Sequence, residues 1–139
     1  MSRSNYSDDG WDSREEQWRY ICYRGAVNSA IKGKQGQAFL KEMLAALDAM
    51  PEKKLIAHEL ELDGQYCAMG VVGKNRGLDL NTVDAQEAEQ VAKLFGLSEA
   101  MVREIAFMND DEFCYFCESP EENRWRDMRK WIVENITNE

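Results

Sequence analysis

Few residues of this chain have the types and spacing that chemistry needs. There is one histidine, His58, and there are four cysteines, Cys22, Cys67, Cys114 and Cys117. Cys114-Tyr115-Phe116-Cys117 has the spacing of half a zinc site or of a redox pair. A structural zinc needs two more ligands, and Cys22, Cys67 and His58 each stand alone in the sequence. No βαβ pattern surrounds the pair, which speaks against redox chemistry. The expectation is four thiols, no metal and no cofactor. His58 stands where a strand residue would, so a hydrogen-bonded structural role is expected of it rather than a catalytic one.

Two glycine-flanked basic stretches, Gly33-Lys34-Gln35-Gly36 and Gly73-Lys74-Asn75-Arg76-Gly77, could together cradle an anion through backbone amides and the cations Lys34, Lys74 and Arg76. Neither matches a Walker loop or a dinucleotide fingerprint, and helix ends commonly read the same way. Residues 86–106 have the spacing of a helix-turn-helix, with Ala92 where the helices cross, Gly96 at the turn, and Val102 and Ile105 seating the second helix. The expected exposed positions of that second helix are Ser98, Glu99, Arg103 and Glu104. They lie in the most acidic part of the chain, where phosphates are repelled, so DNA is disfavoured as a partner.

Charge placement is the most informative feature of the composition. The net charge is −9 over 139 residues, with twelve carboxylates between Asp79 and Glu122 against only Lys93 and Arg103. Residues 20–76 are slightly basic. Such an asymmetry favours a basic partner at the acidic end, and the candidate contact residues there are Glu87, Glu89, Glu99, Glu104, Asp110, Asp111, Glu112 and Glu118. The plain alternative is a solvated surface. No nucleophile or base is marked beside the Asn109-Asp110-Asp111-Glu112 set, so the chain reads as a binding protein rather than an enzyme.

The elements that must position these residues are mostly helices. Residues 1–13, polar and without periodicity, read as a flexible arm that only Tyr6 and Trp11 could pin. Residues 14–139 read as a single helical domain. A first helix over 14–32 is apolar on two sides, with Trp18, Ile21, Cys22 and Gly25 on one and Tyr20, Tyr23, Val27 and Ile31 on the other. After the break at Gly33–Gly36, a second amphipathic helix carries Phe39, Leu40, Met43, Leu44, Leu47 and Met50 and ends before Pro51. A short β-hairpin is predicted near 55–66, turning at Asp63-Gly64. Beyond Tyr66 the periodicity fits strand or helix. Two short helices follow over 84–109, broken at Gly96 and capped by Ser98, and a last one opens at Ser119-Pro120-Glu121-Glu122. The fold class is mainly α with a short β-hairpin. Met1 to Gly10 has no apolar h-region and no stretch approaches the roughly 18 apolar residues of a membrane span, so a cytoplasmic protein with no membrane partner is expected.

Four segments carry a resemblance: Arg24-Gly25-Ala26-Val27-Asn28-Ser29-Ala30-Ile31, Ala45 to Lys53, Asp63-Gly64 with Cys67-Ala68-Met69-Gly70, and Ile105 to Asp111. Over most of its length the chain resembles a family of small proteins from tailed phages and prophages of Gram-negative bacteria, to which no activity is assigned. The resemblance implies a helix beginning near Cys67 and a phage protein working in the host cytoplasm. The Cys114/Cys117 pair departs from the family pattern, which speaks further against a metal site. Small acidic phage proteins without catalytic machinery commonly bind a host protein. The expected function is therefore a non-enzymatic interaction protein, an inhibitor of a host nucleic-acid-handling or defence complex such as a CRISPR effector, acting through an acidic surface. A helix-turn-helix regulator is the second expectation, and a small enzyme or anion-binding protein the third. A homodimer is compatible with the sequence.

Overall fold

A computed structural model describes residues 14–110 and 120–137. Among these residues the chain forms six helices, α1 (Arg14–Lys32), α2 (Lys34–Asp48), α3 (Ala68–Arg76), α4 (Ala88–Phe95), α5 (Glu99–Asp110) and α6 (Pro120–Asn135), with a 3-10 turn at Leu80–Thr82. One antiparallel hairpin, β1 (Glu61–Leu62) and β2 (Gln65–Tyr66), completes the mainly α fold with a small β element. Among the described residues no helix is long and apolar enough to cross a membrane. The predicted arm over 1–13, the pair Cys114/Cys117, and Asp111, Glu112 and Glu118 lie outside the described residues.

The apolar stripes bury as their spacing demands. On α2, Phe39, Leu40, Met43 and Leu47 are buried, on α4 Ala88, Val91, Ala92 and Phe95, and on α6 Met128 and Ile132, with Trp125 and Ile136 half-covered. They meet in one cluster from Val27 to Ile132, with Phe39 edge-on to Phe95 at a centroid separation of 6.0 Å. The helix boundaries have local causes. Gly96 adopts φ 71° and its N–H closes on the Ala92 carbonyl, while the Ser98 hydroxyl accepts from the Met101 N–H at 3.2 Å. Past Pro51, Lys53 Nζ donates to the carbonyls of Asp48 and Met50 at the end of α2.

Two expectations need correcting. The break between α1 and α2 is one residue, Gly33, and not the stretch Gly33–Gly36. Gly36 sits inside α2, where a Cβ would overlap the Ala30 carbonyl of α1, so this glycine serves helix contact. The hairpin is also shorter than 55–66: the strands cover only Glu61 to Tyr66, around Asp63 (φ 53°) and Gly64 (φ 77°), the two positive angles of a type I′ turn. Residues 55–60 are irregular because tertiary partners take their backbone groups. The Leu55 N–H donates to the Glu121 carbonyl, the Ile56 N–H to Tyr66, and the Leu55 carbonyl accepts from Arg124.

Where periodicity stayed silent, packing chose a helix after Tyr66. Cys67 becomes its N-cap, its Sγ accepting from the Gly70 N–H at 3.4 Å, and Gly77 closes the far end with φ 75°. Gly70 lies so close to Leu60 that a Cβ would overlap its carbonyl oxygen. At its C-terminus α3 presents Arg76, which donates from Nε and Nη2 to both Glu42 oxygens of α2 (2.8 and 2.5 Å) and from Nη1 to the Phe95 carbonyl of α4. This fork holds the Glu42 carboxyl below its ordinary range, chiefly through the hydrogen bond to Arg76, with burial opposing and a smaller charge attraction adding to it. A carboxylate with a depressed folded pKa contributes stability above its unfolded value and loses it as pH falls. Thermal unfolding of wild type and Glu42→Gln should therefore differ near neutral pH, and the difference should begin to shrink as pH falls below the ordinary value of 4.5 and close only below the depressed folded value. A gap independent of pH would show that the guanidinium contributes only by packing.

Candidate functional site

The residues with chemical potential fall into different environments. Cys67 is a buried cap, whereas Cys22 is exposed on α1. His58, expected in a strand-like position, lies in the irregular stretch before β1. Its side chain is 59% exposed and its backbone is held at φ 71°, a left-handed value rare for a residue with a Cβ. Its N–H donates to Asp110 Oδ1 (3.1 Å), its carbonyl accepts from Gln86 Nε2 (3.1 Å), and its Nδ1 lies 3.6 Å from Asp110 Oδ2. Structural hydrogen bonding is thus confirmed for the backbone of His58, while the ring faces water.

The anion cradle does not form. The stretch Gly73–Gly77 is the C-terminal end of α3, where the Gly77 and Leu78 N–H groups are used by the carbonyls of Lys74 and Gly73. A helix C-terminus presents carbonyls and negative partial charge, the wrong polarity for an anion. Arg76 is committed to Glu42 and Lys74 lies 5.1 Å over the Tyr66 ring. Lys34 opens α2 and belongs to a different end of the fold. Sequence showed a helix end and a loop to be compositionally alike, and only the direction of the chain separates them.

The α4–α5 corner has the foreseen turn, yet α5 is packed against α1, α3, α4 and α6. Met101, Val102, Glu104, Ile105, Ala106, Asn109 and Asp110 are all buried. Ser98 and Glu99 are exposed at its start, with Arg103 partly so and paired to Glu99 at 2.8 Å. A recognition helix must offer one face to a groove. This one is covered.

Of the acidic contact residues, Glu87, Glu89 and Glu99 are exposed as expected. Glu104 and Asp110 are not, and their expected exposure is corrected. Glu104, its side chain 6% exposed, accepts from Arg24 Nη1 of α1 at 2.9 Å. Asp110, 1% exposed, anchors His58 and accepts from Asn109 Nδ2 at 2.8 Å. Much of the remaining acidity serves local structure: Asp79 and Asp84 accept from N–H groups two residues on, and Glu89 pairs with Lys93 at 3.2 Å. Nothing in the spacing of these carboxylates marked two of them as internal, because both face elements distant in sequence.

The feature left over is a face of α1. Val27 and Ile31 enter the core, while the other apolar side stays outside: Trp18 is 65% exposed, Ile21 59%, Cys22 is exposed, and a Cβ at Gly25 would meet nothing within 4 Å. Trp131 of α6, by contrast, is buried, and Trp125 is half-covered. The sequence reading named both sides of this helix without separating them.

No protein-family model matches this chain, and no curated protein or solved structure is detectably similar to it. The phage-family resemblance stands on the quoted residues alone.

Proposed function

We propose that this chain is a non-enzymatic interaction protein that docks on a protein partner through the outer face of α1. The observation that carries the reading is the pair Trp18 and Ile21, one helical turn apart and largely uncovered among the described residues. Large exposed apolar side chains, tryptophan above all, are the groups that dominate binding energy at interfaces. The partner offers an apolar pocket for Trp18 and carries basic charge, to which Glu87, Glu89 and Glu99 add long-range attraction. The phage-family resemblance suggests a host nucleic-acid-handling or defence complex, such as a CRISPR effector, as the setting. The coverage of α5 weighs against a DNA-binding regulator, and the absence of a cradle among Lys34, Lys74 and Arg76 removes the feature that favoured an anion-using enzyme.

The test begins with capture of a partner from a Gram-negative host lysate and its identification by mass spectrometry. Binding of the purified pair is then measured for wild type, Trp18→Ser with Ile21→Ser, and Glu87→Gln with Glu89→Gln and Glu99→Gln. The first variant should bind at least about tenfold more weakly with thermal stability unchanged, since truncated interface anchors commonly cost more than 1 kcal/mol while exposed substitutions scarcely move folding. The second should lower the association rate mainly at low salt. Unaltered affinity in the α1 variant would reject the docking face.

A further inference from the structure

The uncovered face of α1 has an internal order. Trp18, Ile21, Cys22 and Gly25 recur at helical spacing on the side away from Val27 and Ile31, and all four are exposed among the described residues. Beyond Gly25 the same side turns polar, with Asn28, Ser29 and Lys32 exposed. The apolar patch is therefore two turns long, and its halves differ in bulk. Trp18 and Ile21 stand out from the first half, whereas Cys22 and Gly25 make the second a low shelf, with open space where a Cβ at Gly25 would sit.

Bulk and shelf are placed symmetrically. Trp18 and Gly25 stand equally far from the midpoint between Ile21 and Cys22. A second α1 laid antiparallel across a two-fold axis at that midpoint sets each Trp18 over Gly25 of the other copy, and each Ile21 beside the other's Cys22. Every large side chain then meets a small one. A parallel pair in register would set tryptophan against tryptophan and glycine against glycine, crowding one end and leaving a gap at the other. Antiparallel helices also oppose their dipoles.

We propose that in the free protein this face is covered by a second copy of the same chain, as an antiparallel α1 pair. The pairing goes beyond the docking reading and does not depend on it. Both use Trp18, so a docked partner and the second copy exclude each other. With one tryptophan and one isoleucine from each copy, the contact buries on the order of 800 Å² in total, below the roughly 1,200–2,000 Å² of stable complexes. The dimer is accordingly weak and reversible, with a dissociation constant on the order of 10–100 µM. Each copy carries a net charge of −9, so the copies repel at long range and added salt tightens the pair. Docking on a basic partner has the opposite salt dependence.

Sedimentation equilibrium of the full chain in reductant tests this, with Trp18→Ala and Gly25→Trp prepared separately and together. Both substitutions fall at exposed positions, and thermal unfolding of each variant checks that the fold is kept. Should Gly25→Trp unfold early, Gly25→Leu obstructs the same shelf with less bulk. Alone, Trp18→Ala leaves the shelf empty and Gly25→Trp sets tryptophan against tryptophan, so each should weaken self-association at least about tenfold. An equimolar mixture of the two should associate within about threefold of wild type, because every tryptophan again faces a small residue. The doubly substituted chain, with bulk and shelf exchanged, should do the same. A wild type that stays monomeric to about 1 mM, single variants that pair as tightly as wild type, a mixture no tighter than its components, or a pair that loosens with added salt would overturn the proposal. Only this chain is present, so such a failure leaves the docking reading standing.

Discussion

Replacing Asn109 by Leu should lower the free energy of unfolding by about 3–5 kcal/mol, although the two side chains have nearly the same shape. Asn109 is 1% exposed at the end of α5 and connects three parts of the chain. Its Oδ1 accepts from the Ala68 N–H at the start of α3 (3.1 Å), and its Nδ2 donates to the Ile56 carbonyl (2.9 Å) and to Asp110 Oδ1 (2.8 Å). Leucine removes all three bonds and takes one partner each from the buried Ala68 amide, the part-buried Ile56 carbonyl and the Asp110 carboxylate. An orphaned buried group costs roughly 1–3 kcal/mol, and the gain from an added apolar side chain offsets only part of that. Urea unfolding measures the total, and amide exchange of residues 55–68 locates it. Exchange there should accelerate by local opening well before the rest of the chain unfolds. A loss under about 1 kcal/mol would mean that residues 55–60 are held by Arg124 and the hairpin instead.

Gly36→Ala should cost about 3 kcal/mol or prevent folding, and Gly25→Ala should do the opposite. Both glycines lie within helices, where alanine is intrinsically better by about 1 kcal/mol. At Gly25 nothing occupies the space a Cβ would take, so that preference is realised and a gain of roughly 0.5–1 kcal/mol is expected. At Gly36 the Cβ would run into the Ala30 carbonyl of α1, backbone that cannot rotate away. Relief requires α1 and α2 to separate, which opens the packing of Val27 and Ile31, both essentially buried. Thermal melts of the two variants side by side give the sign of each effect. A neutral Gly36→Ala would show that the helices do not approach at that point. Gly25→Ala also bears on docking: it should hinder any partner backbone that comes close to α1 even as it raises stability.

The elements legible in the sequence are those whose determinants are local. One-sided stripes on α2, α4 and α6 fixed both helix and buried face, because a single apolar side can only turn inward. Asp63-Gly64 set the hairpin register, since two consecutive positive φ angles suit few other pairs. Gly96 and Ser98 placed the corner before α5. The α1 helix was equally visible, yet its two apolar sides were equivalent on paper. Val27 and Ile31 entered the core because α2 and α5 pack against α1, while among the described residues Trp18 and Ile21 stay exposed. The same distant packing took Glu104 and Asp110 off the acidic surface, by bringing Arg24 and His58 to them across 80 and 52 residues of chain. It also turned Gly73–Gly77 from a loop with free amides into a helix end with spent ones. Local sequence determines which conformation a segment prefers. Which side of it meets water depends on surfaces contributed from elsewhere in the chain, and the burial of a charge is decided by whether one of those surfaces brings it a partner.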